Sequence, residues 1–266
     1  MDGLGRILEA SYRRFDFKRG LERDPIKFPH RYRKAEDIES AGLIASSFAY
    51  GNIKAFMPVI EAILGKMGGS PYRFLLGFDS RLHGRLFEGI SYRFQKTGDI
   101  TAFLCVISSV LNKYGRLYNL FKGFYKETDP DTRAALSGMV DRMLRLSGGA
   151  HGLLPSPERG GACKRLNLFL RWMVRDKDID FGLWKDIPKN KLVIPLDTHI
   201  MSVSRCLGFT KRKSADWKTA VEITQALKRF DPEDPLKYDF VLCHTAITGG
   251  HGPLRNDIGR LIKACR

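Results

Sequence analysis

The protein has 266 residues, 43% of them hydrophobic, and its 45 Lys and Arg residues against 29 Asp and Glu give a net charge of +16. A chain of this length and hydrophobic content folds around a sizeable core, so the charge does not mark a disordered protein. The charge predicts a polyanionic partner. Nucleic acid fits better than an anionic membrane, because no basic face carries exposed Trp and Leu and no apolar run approaches about 18 residues.

The start of the chain and the cysteines indicate the compartment. Residues 1–20 carry acidic and basic side chains and no apolar run typical of a secretory signal, so we expect a cytoplasmic protein. The cysteines are odd in number and too far apart for C-x-x-C pairs, so we expect reduced thiols. They are Cys105, Cys163, Cys206, Cys243 and Cys265.

Apolar residues at helical spacing predict helices through the first part of the chain. We expect one helix over residues 3–17 and two between residues 35 and 64, separated near residues 50–52. Residues 24–33 form a proline-broken connector. Polar residues follow the first helix of the pair, and by themselves they indicate no more than a helix end. These residues are Ser47, Tyr50 and Asn52.

A basic and aromatic segment follows a turn at residues 68–71. Its interleaved pattern indicates either contact with nucleic acid or, more commonly, an amphipathic helix with a solvated basic face. Further helices are expected over residues 100–114, where Asp99 is the predicted cap, and over residues 117–125 and 129–146. The residues of the interleaved pattern are Phe78, Arg81, His83, Arg85, Phe87, Tyr92, Arg93 and Phe94.

A pair of glycines, Gly160 and Gly161, precedes a helix that we expect to begin at about Ala162. Two glycines permit a tight turn and a close approach to another molecule, and the unpaired N–H groups of a helix start attract phosphate. The helix has an apolar face formed by Leu166, Phe169, Leu170, Met173 and Val174. We expect its arginines to lie mostly away from that face, and they are Arg165, Arg171 and Arg175.

Lys164 lies in the first turn of this helix, where the positive end of the helix dipole disfavours a second positive charge. The position therefore favours the neutral amine that a lysine nucleophile requires. Further along, an extended apolar run over residues 192–196 leads to Asp197, the predicted N-cap of a helix over residues 198–207. The simpler interpretation is a solvated surface lysine and a structural cap.

The last part of the chain is predicted as two more helices, the first capped by Asp216 and the second over residues 236–247. A charged loop at residues 211–213 is either solvated or a contact for phosphates. In the last helix, the carboxylate of Asp239 is suited to accept from two N–H groups on the pairing edge of guanine. Cys243, His244 and His251 are better explained by packing than by metal binding, so we predict no metal site. With no strand pattern, the fold class is all-α.

Residues 160–200 resemble the helix-hairpin-helix DNA glycosylases, which include endonuclease III and the 8-oxoguanine glycosylases. The matching pieces are the glycine pair, Lys164 with Asn167 three residues later, and residues 195–200, PLDTHI, against the family pattern V-D-T-H. Lys164 and Asp197 are 33 residues apart, as in the archaeal 8-oxoguanine glycosylase branch and unlike the shorter gap of endonuclease III. The whole chain is also similar to an uncharacterised prokaryotic group beside that branch.

The resemblance implies one glycosylase-like unit over residues 1–266, with two helical lobes, a central cleft, and a hairpin and catalytic segment at about residues 150–208. It implies that Lys164 is the nucleophile and that Asp197 stabilises the charge on the sugar. Gly160, Gly161 and Arg165 would bind the DNA backbone, although this hairpin departs from the usual Gly-x-Gly form. The implied base contacts, which lack the usual Gln pair, are Ser47, Tyr50, Asn52, Phe169 and Asp239.

The function implied is a bifunctional DNA glycosylase and abasic-site lyase that excises 8-oxoguanine from duplex DNA through a lysine Schiff base. We expect a monomer that needs no cofactor. An iron–sulfur cluster, found in some endonuclease III relatives, is not expected because only Cys243 and Cys265 lie near the C-terminus. The alternative is a non-catalytic nucleic-acid-binding protein on the same fold. A metal-dependent nuclease is disfavoured because no carboxylate cluster for Mg²⁺ is evident.

Overall fold

The computed structural model describes residues 3–147 and 152–247. Every regular element in these ranges is a helix, and the only β pairing there consists of two isolated bridges, Tyr92 with Gln95 and Gly161 with Asp216. The predicted all-α class is confirmed. No helix in the described ranges is long and apolar enough to cross a membrane. Two residues discussed above, His251 and Cys265, lie outside these ranges.

The connections between the helices range from a few residues to the long stretch 175–197 between α10 and α11, and several three- or four-residue 3₁₀ turns lie within them. The first six are α1 (Gly3–Arg13), α2 (Phe17–Leu21), α3 (Ala35–Phe48), α4 (Ile53–Gly65), α5 (Pro71–Leu76) and α6 (Ser80–His83). The next four are α7 (Thr97–Tyr114), α8 (Leu117–Lys122), α9 (Arg133–Ser147) and α10 (Lys164–Val174). The last three are α11 (Thr198–Cys206), α12 (Trp217–Lys228) and α13 (Asp239–Ile247).

The chain divides into two compact units. We call Arg23–Arg159 the middle unit, and Met1–Glu22 together with Gly160–Arg266 the terminal unit, because the latter contains both chain ends. The middle unit is organised around α3, which packs against α4, α5 and α8. Its residues from Asp37 to Phe48 are all buried, and the buried carboxylate of Glu39 pairs with Arg116.

Two predictions for the middle unit need correction. The basic and aromatic segment does not form one amphipathic helix, since α6 is followed by a 3₁₀ turn, Gly84–Phe87. Phe78, Phe87 and Tyr92 pack in the core, whereas Phe94 is exposed. Asp99 is not the N-cap of α7 but lies in its first turn, where its carboxylate accepts from the backbone N–H of Lys96 at 2.8 Å.

The terminal unit is built from α1, α2 and α10 to α13. The helix predicted over residues 3–17 ends earlier, at Arg13, and a separate helix, α2, begins at Phe17. Asp16 caps α2 by accepting from the N–H of Arg19. α10 is buried on all sides from Leu166 to Val174, and α11 packs against α13. All three tryptophans of the protein lie in the core of this unit, and they are Trp172, Trp184 and Trp217.

Among the cysteines in the described ranges, one differs from the prediction. Cys105, Cys163 and Cys243 are free thiols, as expected for reduced cysteines. Cys206, at the end of α11, is disulfide-bonded, so the prediction of five reduced thiols is wrong there. Sequence spacing does not indicate a disulfide bond, because the bond requires two Cα atoms within about 7 Å of each other in the folded chain.

Candidate functional site

The glycine pair forms a tight turn before α10. Gly160 has a φ of +78° and Cys163 a φ of 46°, both in the left-handed region, so the helix begins at Lys164, two residues later than predicted. Asn167 stabilises this turn, since its buried side-chain Nδ2 donates to the carbonyl oxygen of Ala162 at 3.0 Å. Asn167, three residues after Lys164, therefore connects the first turn of α10 to the glycine turn that precedes it.

The same turn is joined to the start of α12. Gly161 and Asp216 form an antiparallel bridge, and the N–H of Trp217 donates to the carbonyl oxygen of Gly160 at 3.0 Å. Asp216 caps α12, as predicted, by accepting from the N–H of Thr219 at 2.8 Å. The turn is thus held by its own helix on one side and by α12 on the other.

Asp197 reaches the site along the buried extended run at residues 192–196. The N–H of Ile194 donates to the Thr224 hydroxyl in α12 at 3.0 Å, which anchors the run. Asp197 is the N-cap of α11, as predicted, and its Oδ1 accepts from the N–H groups of His199 and Ile200, each at 2.9 Å. One carboxylate oxygen is therefore fixed by the helix start.

The other oxygen of Asp197 faces Lys164. The distance from Lys164 Nζ to Asp197 Oδ2 is 3.9 Å, and the side chains are 27% and 23% exposed. Both residues begin a helix, Lys164 at the first position of α10 and Asp197 as the cap of α11. The fold thus brings together the two residues that the sequence singled out, as an amine beside an oriented carboxylate, both within reach of solvent.

The terminal unit also contains a buried ion-pair network, which was not predicted from the sequence. Arg171 and Arg175 do not lie away from the core, because their side chains are only 3% and 2% exposed. Arg171 Nη1 donates to Asp239 Oδ2 at 2.6 Å, and Arg175 Nε donates to Asp234 Oδ1 at 2.8 Å. Both arginines also pair with Asp180. The available signal was two arginines four residues apart, one within the apolar stretch of α10 and one directly after its last residue.

Burial and the neighbouring charges shift the pKa values of the residues in this network. Burial raises the pKa of Asp239, Arg171 opposes that rise, and the charge of Asp197 adds to it. The network therefore lies within electrostatic range of the Lys164–Asp197 pair. Burial by itself lowers the pKa of Arg175, but Asp180 and Asp234 outweigh it and raise that pKa well above its usual value, so Arg175 stays protonated.

Two of the predicted base contacts are buried in the terminal unit. Phe169 is fully buried and packs edge-on against Trp184, with ring centroids 5.4 Å apart, so it belongs to the core and has no face free for a base. Asp239 is buried in its ion pair with Arg171, so its carboxylate is not available to a guanine edge in this conformation. Arg165, the predicted backbone contact, is half-buried.

The other predicted base contacts belong to the middle unit. Ser47 is buried within α3. Tyr50 is half-buried, its ring packs on Tyr92 and lies under Arg93, and its carbonyl oxygen accepts from the Tyr92 hydroxyl. Asn52 is exposed and caps α4 by accepting from the N–H of Lys54 at 2.9 Å. Their role in base binding stays a prediction.

A surface depression lined by Val174, Gly182, Ile187 and Pro188 lies at the far end of α10 from Lys164, about 15 Å along the helix. It contains neither Lys164 nor Asp197. In the described ranges, no group of three or more His, Cys, Asp and Glu side chains is arranged to hold a metal ion.

The fold and site define a helical protein in which an amine and a carboxylate meet at two helix starts. The chain belongs to the family DUF2400, described as a protein of unknown function, whose model matches residues 24–248. The matched range includes both Lys164 and Asp197 and omits α1 and α2. Comparisons with curated proteins and with solved structures found no match.

Proposed function

We propose that this protein is a DNA base-excision glycosylase with abasic-site lyase activity, and that Lys164 is its nucleophile. The observation that carries the proposal is the distance of 3.9 Å between Lys164 Nζ and Asp197 Oδ2. A backbone phosphate is bound by a lysine alone, and a carboxylate beside that lysine would repel it. An amine that attacks a sugar carbon, in contrast, needs an adjacent group that accepts its proton.

In the proposed reaction, a damaged nucleotide is flipped out of the duplex and presents its sugar to Lys164. The bond from Nζ to C1′ forms as the bond from C1′ to the base breaks, and the electron pair leaves with the base, which takes a proton from water. The carboxylate of Asp197 stabilises the positive charge that develops on the sugar. It then accepts a proton from Nζ.

Ring opening completes the covalent intermediate. The C1′–O4′ bond breaks, O4′ takes up the proton held by Asp197, and the nitrogen electron pair forms a protonated imine with C1′. This Schiff base acidifies the C2′ protons. Loss of one of them expels the 3′ phosphate by cleavage of the C3′–O3′ bond, so base excision and strand cleavage are expected in one protein.

The support for DNA as substrate comes from charge and from the resemblance. The net charge of +16 fits a polyanion, and residues 195–200 are similar to the V-D-T-H segment of helix-hairpin-helix glycosylases. The likeness to the archaeal branch makes 8-oxoguanine the proposed target base. The buried state of Asp239 removes one of the contacts predicted for that base, so the choice of base rests on the resemblance alone.

The proposal is tested by incubating the protein with labelled duplexes in the presence of borohydride, which reduces an imine to a stable amine. We expect a covalent complex with duplexes that contain 8-oxoguanine, formed faster than with uracil or thymine glycol. A duplex with a preformed abasic site bypasses base recognition and is expected to give the complex as well. An undamaged duplex is the control.

The outcomes of this experiment separate substrate from mechanism. A preference for a pyrimidine lesion would show that the proposed base is wrong while the lysine chemistry stands. Absence of a covalent complex even with the abasic duplex would refute the proposed activity. Salt-dependent binding without any complex would favour the non-catalytic nucleic-acid-binding protein.

Asp197→Asn is expected to lower the rate of base release by at least about a hundredfold, because removing a charge aimed at the transition state typically costs about 3 kcal/mol. Asparagine is a good N-cap, so α11 is expected to form normally. The rate is measured by single-turnover base release. The matched control is Asp16→Asn, which changes the cap of α2 in the same unit and is expected to leave the rate within about twofold. Equal losses in the two variants would contradict a specific role for Asp197.

A further inference from the structure

Residues 211–218, KRKSADWK, form a strongly basic segment that precedes α12 and includes its first two residues, and we call it the lysine segment. It carries four basic residues and one acidic residue. Lys211, Lys213 and Lys218 are exposed, and none of the three forms an ion pair with another residue in the described ranges. The fourth basic residue, Arg212, is half-buried and is engaged within the segment.

The one carboxylate of the segment is already neutralised. Asp216 Oδ2 accepts from Arg212 Nη2 and from the Ser214 hydroxyl, each at 2.8 Å, and Oδ1 accepts from the N–H of Thr219. The backbone N–H of Thr219 is the main cause that holds the pKa of Asp216 well below its usual value. Asp216 is thus paired internally, and the charges of the three exposed lysines are left for an external partner.

The same bonds hold the segment in one conformation. Arg212 Nε donates to the Thr219 hydroxyl at 2.7 Å, and that hydroxyl donates to the carbonyl oxygen of Ser214 at 2.7 Å. A surface that is already ordered pays little additional conformational entropy when it binds. The lysines are therefore presented from a rigid backbone and not from a loop that must be ordered by its partner.

The lysine segment is fastened to the glycine turn by the bridge between Gly161 and Asp216. Lys164 follows Gly161 by three residues, so their Cα atoms are at most about 11 Å apart. The bridge adds about 5 Å. Lys213 and Lys218 lie at most three residues from Asp216, about another 11 Å, and Lys211 lies five residues from it, about another 18 Å. These limits place the lysines within one turn of duplex DNA, about 34 Å, from the reacting amine.

From this geometry we propose that the lysine segment and the adjoining glycine turn form one surface that binds the phosphate backbone of duplex DNA beside the reacting nucleotide. This inference rests on the proposed function for the identity of the reacting nucleotide. The occupant is chosen by charge complementarity, since a duplex offers a phosphate on each strand about every 3.4 Å to ammonium groups that form no ion pair within the described ranges. The surface positions the DNA, whereas Lys164 and Asp197 perform the chemistry.

The test uses the full-length protein and the abasic-site duplex, with dissociation constants measured across a salt series. If about six phosphates are contacted, the affinity of the wild type falls by roughly a thousandfold between about 50 and 200 mM salt. Lys211→Ala combined with Lys213→Ala is expected to reduce the slope of log K against log salt by about 1.8, or about 0.9 per phosphate, and to weaken binding roughly 60-fold at about 0.1 M.

The matched control is Lys18→Ala combined with Arg19→Ala, which removes two exposed positive charges of the terminal unit from α2. Its slope is expected to equal that of the wild type. Lys218→Ala, a single change at the other end of the segment, is expected to lower the slope by about 0.9. It keeps the test decisive if the double variant does not fold, and folding is checked by tryptophan fluorescence.

The results distinguish this inference from the proposed function. An unchanged slope in the lysine variants, or an equal fall in the control, would overturn the inference, while borohydride trapping by the wild type would still support the function. A reduced slope specific to the lysine segment supports the inference even if no protein traps.

Discussion

Lys164→Ala is expected to abolish the borohydride-trapped complex and strand cleavage completely, because it removes the amine that lies 3.9 Å from Asp197 Oδ2. Duplex binding is expected to stay within a few-fold of the wild type, since one lysine is a small part of a multi-phosphate contact. The measurement is trapping on the abasic-site duplex at saturating protein, so that a modest loss of affinity does not alter the yield.

Lys164→Arg is the informative companion to this variant. Arginine keeps the positive charge beside Asp197, but it stays protonated at all ordinary pH values and is not a nucleophile. We therefore expect normal binding and no trapping, which separates the charge of Lys164 from its reactivity. Lys18→Ala, at an exposed site in α2, is expected to trap like the wild type. If Lys164→Ala still forms the complex, another residue is the nucleophile and the proposed mechanism is wrong.

The sequence was sufficient to predict local features that depend on neighbouring residues. The cap at Asp197, the cap at Asp216 and the break between α3 and α4 were all predicted, because an N-cap and a glycine leave a signature within a few positions. The position of Lys164 at a helix start was predicted for the same reason. Its distance to Asp197 was suggested only by the resemblance, since 33 residues of intervening chain leave the separation open.

Features that depend on what surrounds a helix were missed. The apolar positions of α10 suggested one buried face, but the helix is buried on all sides, so Phe169 lies in the core and Arg171 and Arg175 lie inside the unit. A charged residue in a helical pattern normally indicates a solvated face. The exception requires carboxylates from elsewhere in the chain, here Asp180, Asp234 and Asp239, and sequence spacing does not reveal them.

The buried network connects the end of α10 to two other parts of the terminal unit. Arg175 reaches Asp178 and Asp180, which lie in the connection after α10, and Asp234, which lies before α13. Arg171 adds the link to Asp239 at the first position of α13. Desolvating such charges is costly, and only complete pairing offsets the cost. The network therefore makes the placement of α10, and with it that of Lys164, dependent on every member being paired.

Arg175→Met is expected to lower the free energy of unfolding of the terminal unit by about 3–5 kcal/mol, because it leaves Asp180 and Asp234 buried without this partner. Methionine fills a similar volume, so the loss is not mainly that of a cavity. The measurement is urea denaturation followed by tryptophan fluorescence. Since all three tryptophans lie in the terminal unit, the signal reports the unfolding of that unit and is not mixed with that of the middle unit.

The matched control for this variant is Arg13→Met, which breaks the pair with Glu9 at a side chain that is 75% exposed. An exposed ion pair contributes little, so the expected change is below about 1 kcal/mol. Adding Asp234→Asn to Arg175→Met removes one of the unpaired buried charges and is expected to recover part of the lost stability, which a double-mutant cycle measures. A loss below about 1 kcal/mol for Arg175→Met, or a further loss on adding Asp234→Asn, would mean that α10 is not held by this network.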